Sequence, residues 1–315
     1  MQWSDRVGRR LKLRDLHILL AVAKSGSMGK AAAELAISQP SISKAIADVE
    51  HAVGLRLLDR GPQGIEPTMY GHALLNCGVA VFDELRRGVT ELEFLANPGG
   101  GELKVGCTET MAAGFASFVI DSISREYPRV LFHLTPADRD TLLNRELRQR
   151  TIELAIAPTA GLDPEGDVES EVLFDDQFVV MAGSRTKWVR KRNVTLADLL
   201  DEPWILPPPE SLPGQSIANA FRASGLTPPR AHVLSFSVSL HHHLLATGRF
   251  LTMLPRSTLR FGHHVSLELL AVKTPKASYP TGIITLKNRT LSPLARLFIA
   301  RARKAAGPLI KSNTA

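Results

Sequence analysis

Gln39, Pro40, Ser41, Ser43 and Lys44 fall within six consecutive residues and bring together a side-chain amide, two hydroxyls and one ammonium group. Small donors of this kind suit hydrogen bonding to base edges, and a lysine cation neutralises a phosphate. The chemistry on offer is recognition rather than bond breaking. No Ser–His–Asp, GxSxG, Walker or GxGxxG pattern occurs in a fitting context, so no catalytic residue is assigned and the chain is read as a non-enzyme without a cofactor. His241, His242 and His243, with His263 and His264 nearby, look like a metal tract. Consecutive helical residues point 100° apart and cannot converge on one ion, so a partly solvated helix is expected there and no metal. Cys77 and Cys107 form no disulfide framework, and Cys107 has no resolving partner.

The recognition residues need a helix beneath them. Ser38 is placed as its N-cap, and Pro40 then lies in the first turn, where a missing N–H costs nothing. Ile42, Ala45, Ile46 and Val49 follow at i, i+3, i+4 and i+7 as one buried stripe, and Gly54 stops the helix. Pro40, Ser43, Lys44 and Ala47 point away from that stripe, with Ser41 and Asp48 at its flank. This polar side is slim enough to fit a groove. A short helix capped by Ser27 precedes it, with Ala32, Leu35 and Ala36 read as its inner side, and an earlier helix spans Leu13–Ser25. Three small helices so connected fit a helix-turn-helix, or else a three-helix core fragment with an exposed polar side. The Gly61-Pro62-Gln63-Gly64 turn between two apolar stretches then reads as a two-stranded wing, with Arg60 at its start.

The stretch AAAELAISQPSISKAIADVEHAVGLRLLDRGPQGIEPTMYG, from Ala31 through Gly71, resembles the N-terminal signature of LysR-type transcriptional regulators without a gap in spacing. The resemblance implies an all-α winged helix-turn-helix over residues 1–67, with Gln39, Pro40, Ser41, Ser43 and Lys44 at DNA-contact positions, Arg60 on a phosphate, and Ser27 and Ser38 beside them. Lys44 stands where arginine is common in the family, so its contact is a point charge rather than a bidentate fork. Leu58 and Pro67 also depart from the family's more usual phenylalanine and leucine.

A breaker-free helix follows over 68–97, capped by Thr68 and ended by the NPGGG stretch after Ala96. At 1.5 Å per residue it is about 42 Å long, too long to bury in one small domain. Leu74, Gly78, Val81, Leu85, Gly88, Leu92 and Leu95 repeat every four and three residues, a heptad seam that suits pairing with a second copy of the chain. An ordinary amphipathic helix packed on its own chain is the alternative. The family's linker helix dimerises in the first manner.

Beyond Gly101 strand and helix patterns alternate, which predicts a parallel sheet covered by helices. Ligands in such sheets sit at the carboxyl ends of strands, beside helix N-termini. Three loops qualify: CTET with Thr108, Glu109 and Thr110; PPPES with Ser211; and SFSVS with Ser237 and Ser239. Thr159, after the strand IELAIAP, joins them. Each hydroxyl could equally be a helix cap. The resemblance extends here and implies a two-lobed α/β domain of the periplasmic-binding-protein kind over 98–315. Its lobe I would take about 102–160 and 272–305, and its lobe II about 165–267. Crossing strands are expected near Ala157–Glu171 and Leu267–Lys276, the effector between the lobes and Thr110 at an effector-contact position. Glu109 would repel an anion, which raises a sugar-like effector beside a sugar acid or carboxylate.

Length and charge agree with these readings. A chain of 315 residues suits two domains, and its net charge of +7 invites a polyanion. The basic arm with Arg6, Arg9, Arg10, Lys12 and Arg14 runs into LHILLAVA and mimics a signal peptide, but His17 and Asp15 argue against export. The expected protein is a cytoplasmic DNA-binding regulator that binds double-stranded DNA and a small-molecule effector, forms a homodimer or homotetramer, and has no membrane role. An exported solute-binding receptor is the alternative.

Overall fold

The computed structural model describes residues 10–61, 64–96, 99–261, 267–272, 274 and 277–312. Arg6, Arg9, Pro62, Gln63, Asn97, His263, His264 and Lys276 lie outside the described residues. The chain divides into two compact units, Met1–Val89 and Thr90–Ala315.

In the first unit, helices α1 (Leu13–Ser25), α2 (Met28–Glu34) and α3 (Gln39–Val53) enclose one core. Leu16, Leu19, Val22, Ala31, Ile42, Ala45, Ile46, Val49 and Leu57 meet there, all buried. The capping expected from sequence holds: the Ser38 hydroxyl accepts from the Ser41 amide, proline occupies the first turn of α3, and Gly54 adopts a left-handed φ of 72° as it bonds the Glu50 carbonyl. One expectation fails. Ala36 does not line the inner side of α2, which ends at Glu34; it is exposed, with a left-handed φ of 53°, because the chain must reverse tightly before Ser38.

Strands β1 (Leu58–Gly61) and β2 (Gly64–Pro67) pair antiparallel, Arg60 opposite Ile65. The Ile65 amide donates to the Gly26 carbonyl at 2.9 Å, tying the wing to the α1–α2 turn. Helix α4 (Met69–Ala96) follows. Its first half packs on the helical core through Leu74, Leu75 and Phe82, and the Phe82 ring lies 5.5 Å from that of His17. A side chain at Gly78 would meet Leu16 at 3.1 Å. Its second half leaves Leu85, Leu92 and Leu95 exposed at 48%, 67% and 70%.

The second unit is a mixed sheet in the order β4-β3-β5-β11-β6-β9-β7-β8, with β10 (Leu267–Leu269) also on β6. Strands β3 (Gly100–Cys107), β4 (Arg129–Pro136) and β5 (Leu154–Pro158) are mutually parallel, as the alternating rhythm predicts. The return strand β11 (Ser278–Leu286) is antiparallel to both β5 and β6. In the other lobe β7 (Trp204–Leu206) runs parallel to β8 (Ala231–Leu234) and β9 (Leu251–Pro255). The lobes share one strand. The N-terminal part of β6 (Val168–Gly183) pairs with β11 as far as Gln177, and from Phe178 onward it pairs with β9. The crossover therefore comes later than the expected Ala157–Glu171, because Val168–Gln177 is still held in the first lobe's ladder. One lobe's core gathers Phe115, Val119, Ile156, Phe174 and Phe298, the other's Phe178, Trp204, Phe221 and Met253.

Candidate functional site

Buried Ile42, Ala45, Ile46 and Val49 fix the roll of α3, so Gln39, Pro40, Ser41 and Lys44 are exposed and Ser43 is half-buried. Ser38 and Ser41 hydroxyls lie 2.8 Å apart at the helix start. Ser27 is half-buried and caps α2 by accepting from the Lys30 amide at 3.4 Å. Arg60 is exposed on β1, its Nη2 3.6 Å from the Met28 sulfur. One positioning residue went unread in the sequence. The Glu50 carboxylate accepts from the Leu57 and Leu58 amides at 2.7 and 3.3 Å, which locks the wing's first strand to the C-terminal end of α3.

The second unit holds a cavity of about 790 Å³ at the carboxyl ends of its strands. Four helical segments begin beside it: 109–124 (α5), 139–147 (α6), Leu212–Ala223 (α7) and Val238–Ala246 (α8). Thr108, Glu109, Thr110, Ser211 and Ser237 line it, but two expected residues do not. Thr159 is buried, its amide and hydroxyl both donating to the Pro280 carbonyl, so it joins β5 to β11 instead. Ser239 is exposed in the first turn of α8, where its carbonyl bonds the His243 ring. Two of the lining hydroxyls also cap: Ser211 accepts from the Gly214 amide at 3.2 Å, and Ser237 from Leu240 at 3.3 Å. Residues that sequence reasoning missed here include Arg139, Phe178, Glu210, Phe236, His241 and Tyr279.

The histidine tract lies on a partly solvated helix as expected, His243 exposed and His242 half-buried, but His241 is turned inward. It is buried in the lining, with Nε2 3.2 Å from the Ser235 carbonyl and Nδ1 3.2 Å from the Thr252 hydroxyl. Burial pulls its pKa down to about 4, so the imidazole is neutral at physiological pH. Among the described residues no group of three or more His, Cys, Asp or Glu could hold a metal. Burial, helped by Glu109, pushes the Cys107 thiol up to about 12, against the thiolate character a redox sensor needs.

Behind the cavity runs a buried polar chain. Thr110 is hydrogen-bonded to the Tyr279 phenol, and Tyr279 sits opposite Asp176 in the β11–β6 ladder. Asp176 lies just before the crossover and accepts from the Ser257 amide at 3.1 Å and hydroxyl at 2.5 Å. Burial pushes its carboxyl up to about 6 despite those two bonds.

Residues 13–72 match the bacterial regulatory helix-turn-helix protein, lysR family, and residues 96–307 match the LysR substrate binding domain. The chain belongs to the LysR family. It is a DNA-binding transcriptional regulator with a substrate-binding domain, and the reading as an exported receptor without a DNA role is not favoured. LysR-family relatives include the regulator GbpR of Azospirillum brasilense, 29% identical over 94% of this chain and 87% of its own length. The regulator TdcA of Escherichia coli is 26% identical over 93% of each chain. Among solved structures, the LysR family regulator CbnR complexed with its target DNA superposes with a TM-score of 0.65 at 21% identity, covering 94% of this chain and all of that one. No described helix is long and apolar enough to cross a membrane.

Proposed function

We propose that this LysR-family regulator reads duplex DNA with the exposed start of α3. Gln39, Pro40, Ser41, Ser43 and Lys44 face the major groove, Ser27 and Ser38 lie beside the sugar-phosphate backbone, and Arg60 of the wing meets a phosphate. The observation that carries this is the orientation of α3, whose apolar stripe is wholly buried while its hydroxyl-and-lysine side is open. Residues 1–67 act as the reader, 68–97 as the linker, and 98–315 as the effector domain. The exposed half of α4, with Leu85 and Leu92 continuing the line of Leu74 and Val81, pairs two chains into a homodimer or a tetramer of such pairs, because two half-sites need two readers. The protein works in the cytoplasm, and a small molecule (a sugar, sugar acid or carboxylate) binds in the cavity beside Thr108, Glu109, Thr110, Ser211 and Ser237. Its two sites, one for DNA and one for effector, are what allostery couples.

Fluorescence anisotropy on a duplex from the regulator's own promoter tests the reading. Lys44→Ala should weaken binding and lower the slope of log affinity against log salt by about 1. An unchanged slope removes Lys44 from the phosphate contacts, and no preference for the promoter over scrambled duplex removes the reading of α3.

A further inference from the structure

The charged residues around the cavity point to the class of molecule it takes, granted that the cavity is the effector site. Among the described residues its lining carries Glu109, Asp138, Asp140 and Glu210 against a single arginine, Arg139. That guanidinium is already engaged, with Nη1 2.6 Å from the Ala160 carbonyl and Nε 3.4 Å from Asp140. The buried His241 ring adds no positive charge.

Helix N-termini would ordinarily invite an anion here. Three of the four starting at the cavity have their own. Glu109 lies in the first turn of α5, Asp138 caps α6 by accepting from the Thr141 amide and hydroxyl with Asp140 beside it, and Glu210 immediately precedes the Ser211 cap of α7. The positive ends of these helices are therefore occupied by the protein's own carboxylates, which leaves an incoming carboxylate facing like charge. The same helix ends offset those carboxylates, so a cation gains less than their number implies. What remains available is a set of acceptors, the Glu109 and Glu210 carboxylates, which have no partner among the described residues. The same lining holds Phe178, Phe236 and Tyr279. Acceptors ask for hydroxyl donors, and aromatic faces ask for C–H surface.

We propose that the effector of this cleft is an uncharged polyhydroxylated molecule, a sugar or sugar alcohol, whose hydroxyls donate to Glu109 and Glu210 while a C–H face lies on the aromatic residues. This excludes the sugar-acid and carboxylate options.

Isothermal titration on the full-length protein tests it, with glucose, galactose, arabinose, xylose, ribose, mannitol, sucrose and lactose as probes. Glucose and galactose are each matched by an acid (gluconate, galacturonate) and an amine (glucosamine, galactosamine) counterpart. At least one uncharged probe should bind, with its charged counterparts at least tenfold weaker. Glu109→Gln should weaken that sugar roughly tenfold, the value of a charge-assisted hydrogen bond, while strengthening the matched acid. An acid or amine that binds as tightly as its neutral partner overturns the proposal, as does a panel in which no uncharged probe binds. A sugar whose affinity is unchanged in both Glu109→Gln and Glu210→Gln binds elsewhere, and then the cleft reading fails. Carboxylate binding that weakens in Phe236→Ala keeps the cleft reading and refutes the sugar. A calorimetric transition of the effector domain that matches wild type shows that each variant is folded.

Discussion

Asp176→Asn should make the effector domain more stable at neutral pH, although it removes a carboxylate with two hydrogen bonds. The carboxyl is raised from an ordinary 3.8 to about 6 by burial, which the Ser257 amide and hydroxyl only partly oppose. A raised carboxyl in the folded state contributes stability that is complete below about pH 4 and is lost as pH rises through about 6. Above that pH both states are ionised, and the folded one bears the cost of holding the charge out of water. Integrated between those two pKa values, that cost comes to about 3 kcal/mol at pH 7.5, and to roughly half of that at pH 5. Asparagine has the shape of the protonated acid, keeps an oxygen for the Ser257 amide, and carries no charge. For a unit of this size, about 3 kcal/mol should raise the calorimetric transition of the effector domain by roughly 6–12 °C at pH 7.5. The gain should shrink to about half at pH 5. A variant that melts lower than wild type at pH 7.5, or whose gain does not depend on pH, would show that the ionised carboxylate stabilises the crossover and would refute the reasoning. Because Asp176 sits where β6 passes from one lobe's ladder to the other's, the same variant should also show whether that charge biases the response to effector.

Gly71→Ala should destabilise the DNA-reading unit, since its added carbon would lie 2.0 Å from the Leu57 carbonyl oxygen, a backbone atom that cannot swing aside. Helix propensity returns about 1 kcal/mol against an overpacking cost at or above about 3 kcal/mol, so the urea midpoint should fall. Ala36→Gly should stabilise that unit by up to about 1 kcal/mol and raise its urea midpoint without changing promoter affinity, because the left-handed turn strains alanine and not glycine; an unchanged or lower midpoint would mean that the turn carries no such strain.

The helix-turn-helix is legible in sequence because every device that builds it is local. Ser38, Pro40 and Gly54 fix where α3 starts and stops, and a stripe of four apolar residues fixes its roll. Ala36 escaped because helical periodicity continues on paper for two residues past Glu34, where the helix ends, and Ala36 is itself the residue that turns left-handed. The cleft is another matter. Its hydroxyls stand at strand ends that the alternating pattern marks, but Phe178 and Tyr279 reach the lining from strands a hundred residues apart, and only the β6–β11 pairing brings them together. His241 shows the same limit from the opposite direction. The 100° spacing of the three histidines says that they point in different directions, yet it does not say which of those directions is closed by Ser235 and Thr252 of the same lobe.

The heptad seam of α4 shows why periodicity alone cannot name a partner. Seven residues keep the four-three spacing from Leu74 to Leu95, and a seam of uniform spacing reads as one interface. The structure divides it. Around Leu74 and Gly78 the line is consumed within the chain, against Leu16 and the helical core, and the approach is close enough that Gly78 tolerates no larger neighbour without displacing Leu16. From Leu85 onward the same line leaves the core behind and stays open. The reading of a helix packed on its own chain holds over the first stretch, and the proposed pairing is left the second; the two are compatible because the residues that hold α4 to its own DNA-reading unit are not those open to a second chain. A pairing built on Leu85, Val89, Leu92 and Leu95 would leave the packing of α4 on α1 intact, so the reader stays fixed to its linker whatever the oligomer does. Substituting Leu92 should then weaken assembly while sparing the fold of the reader. Substituting Leu74 should do the reverse.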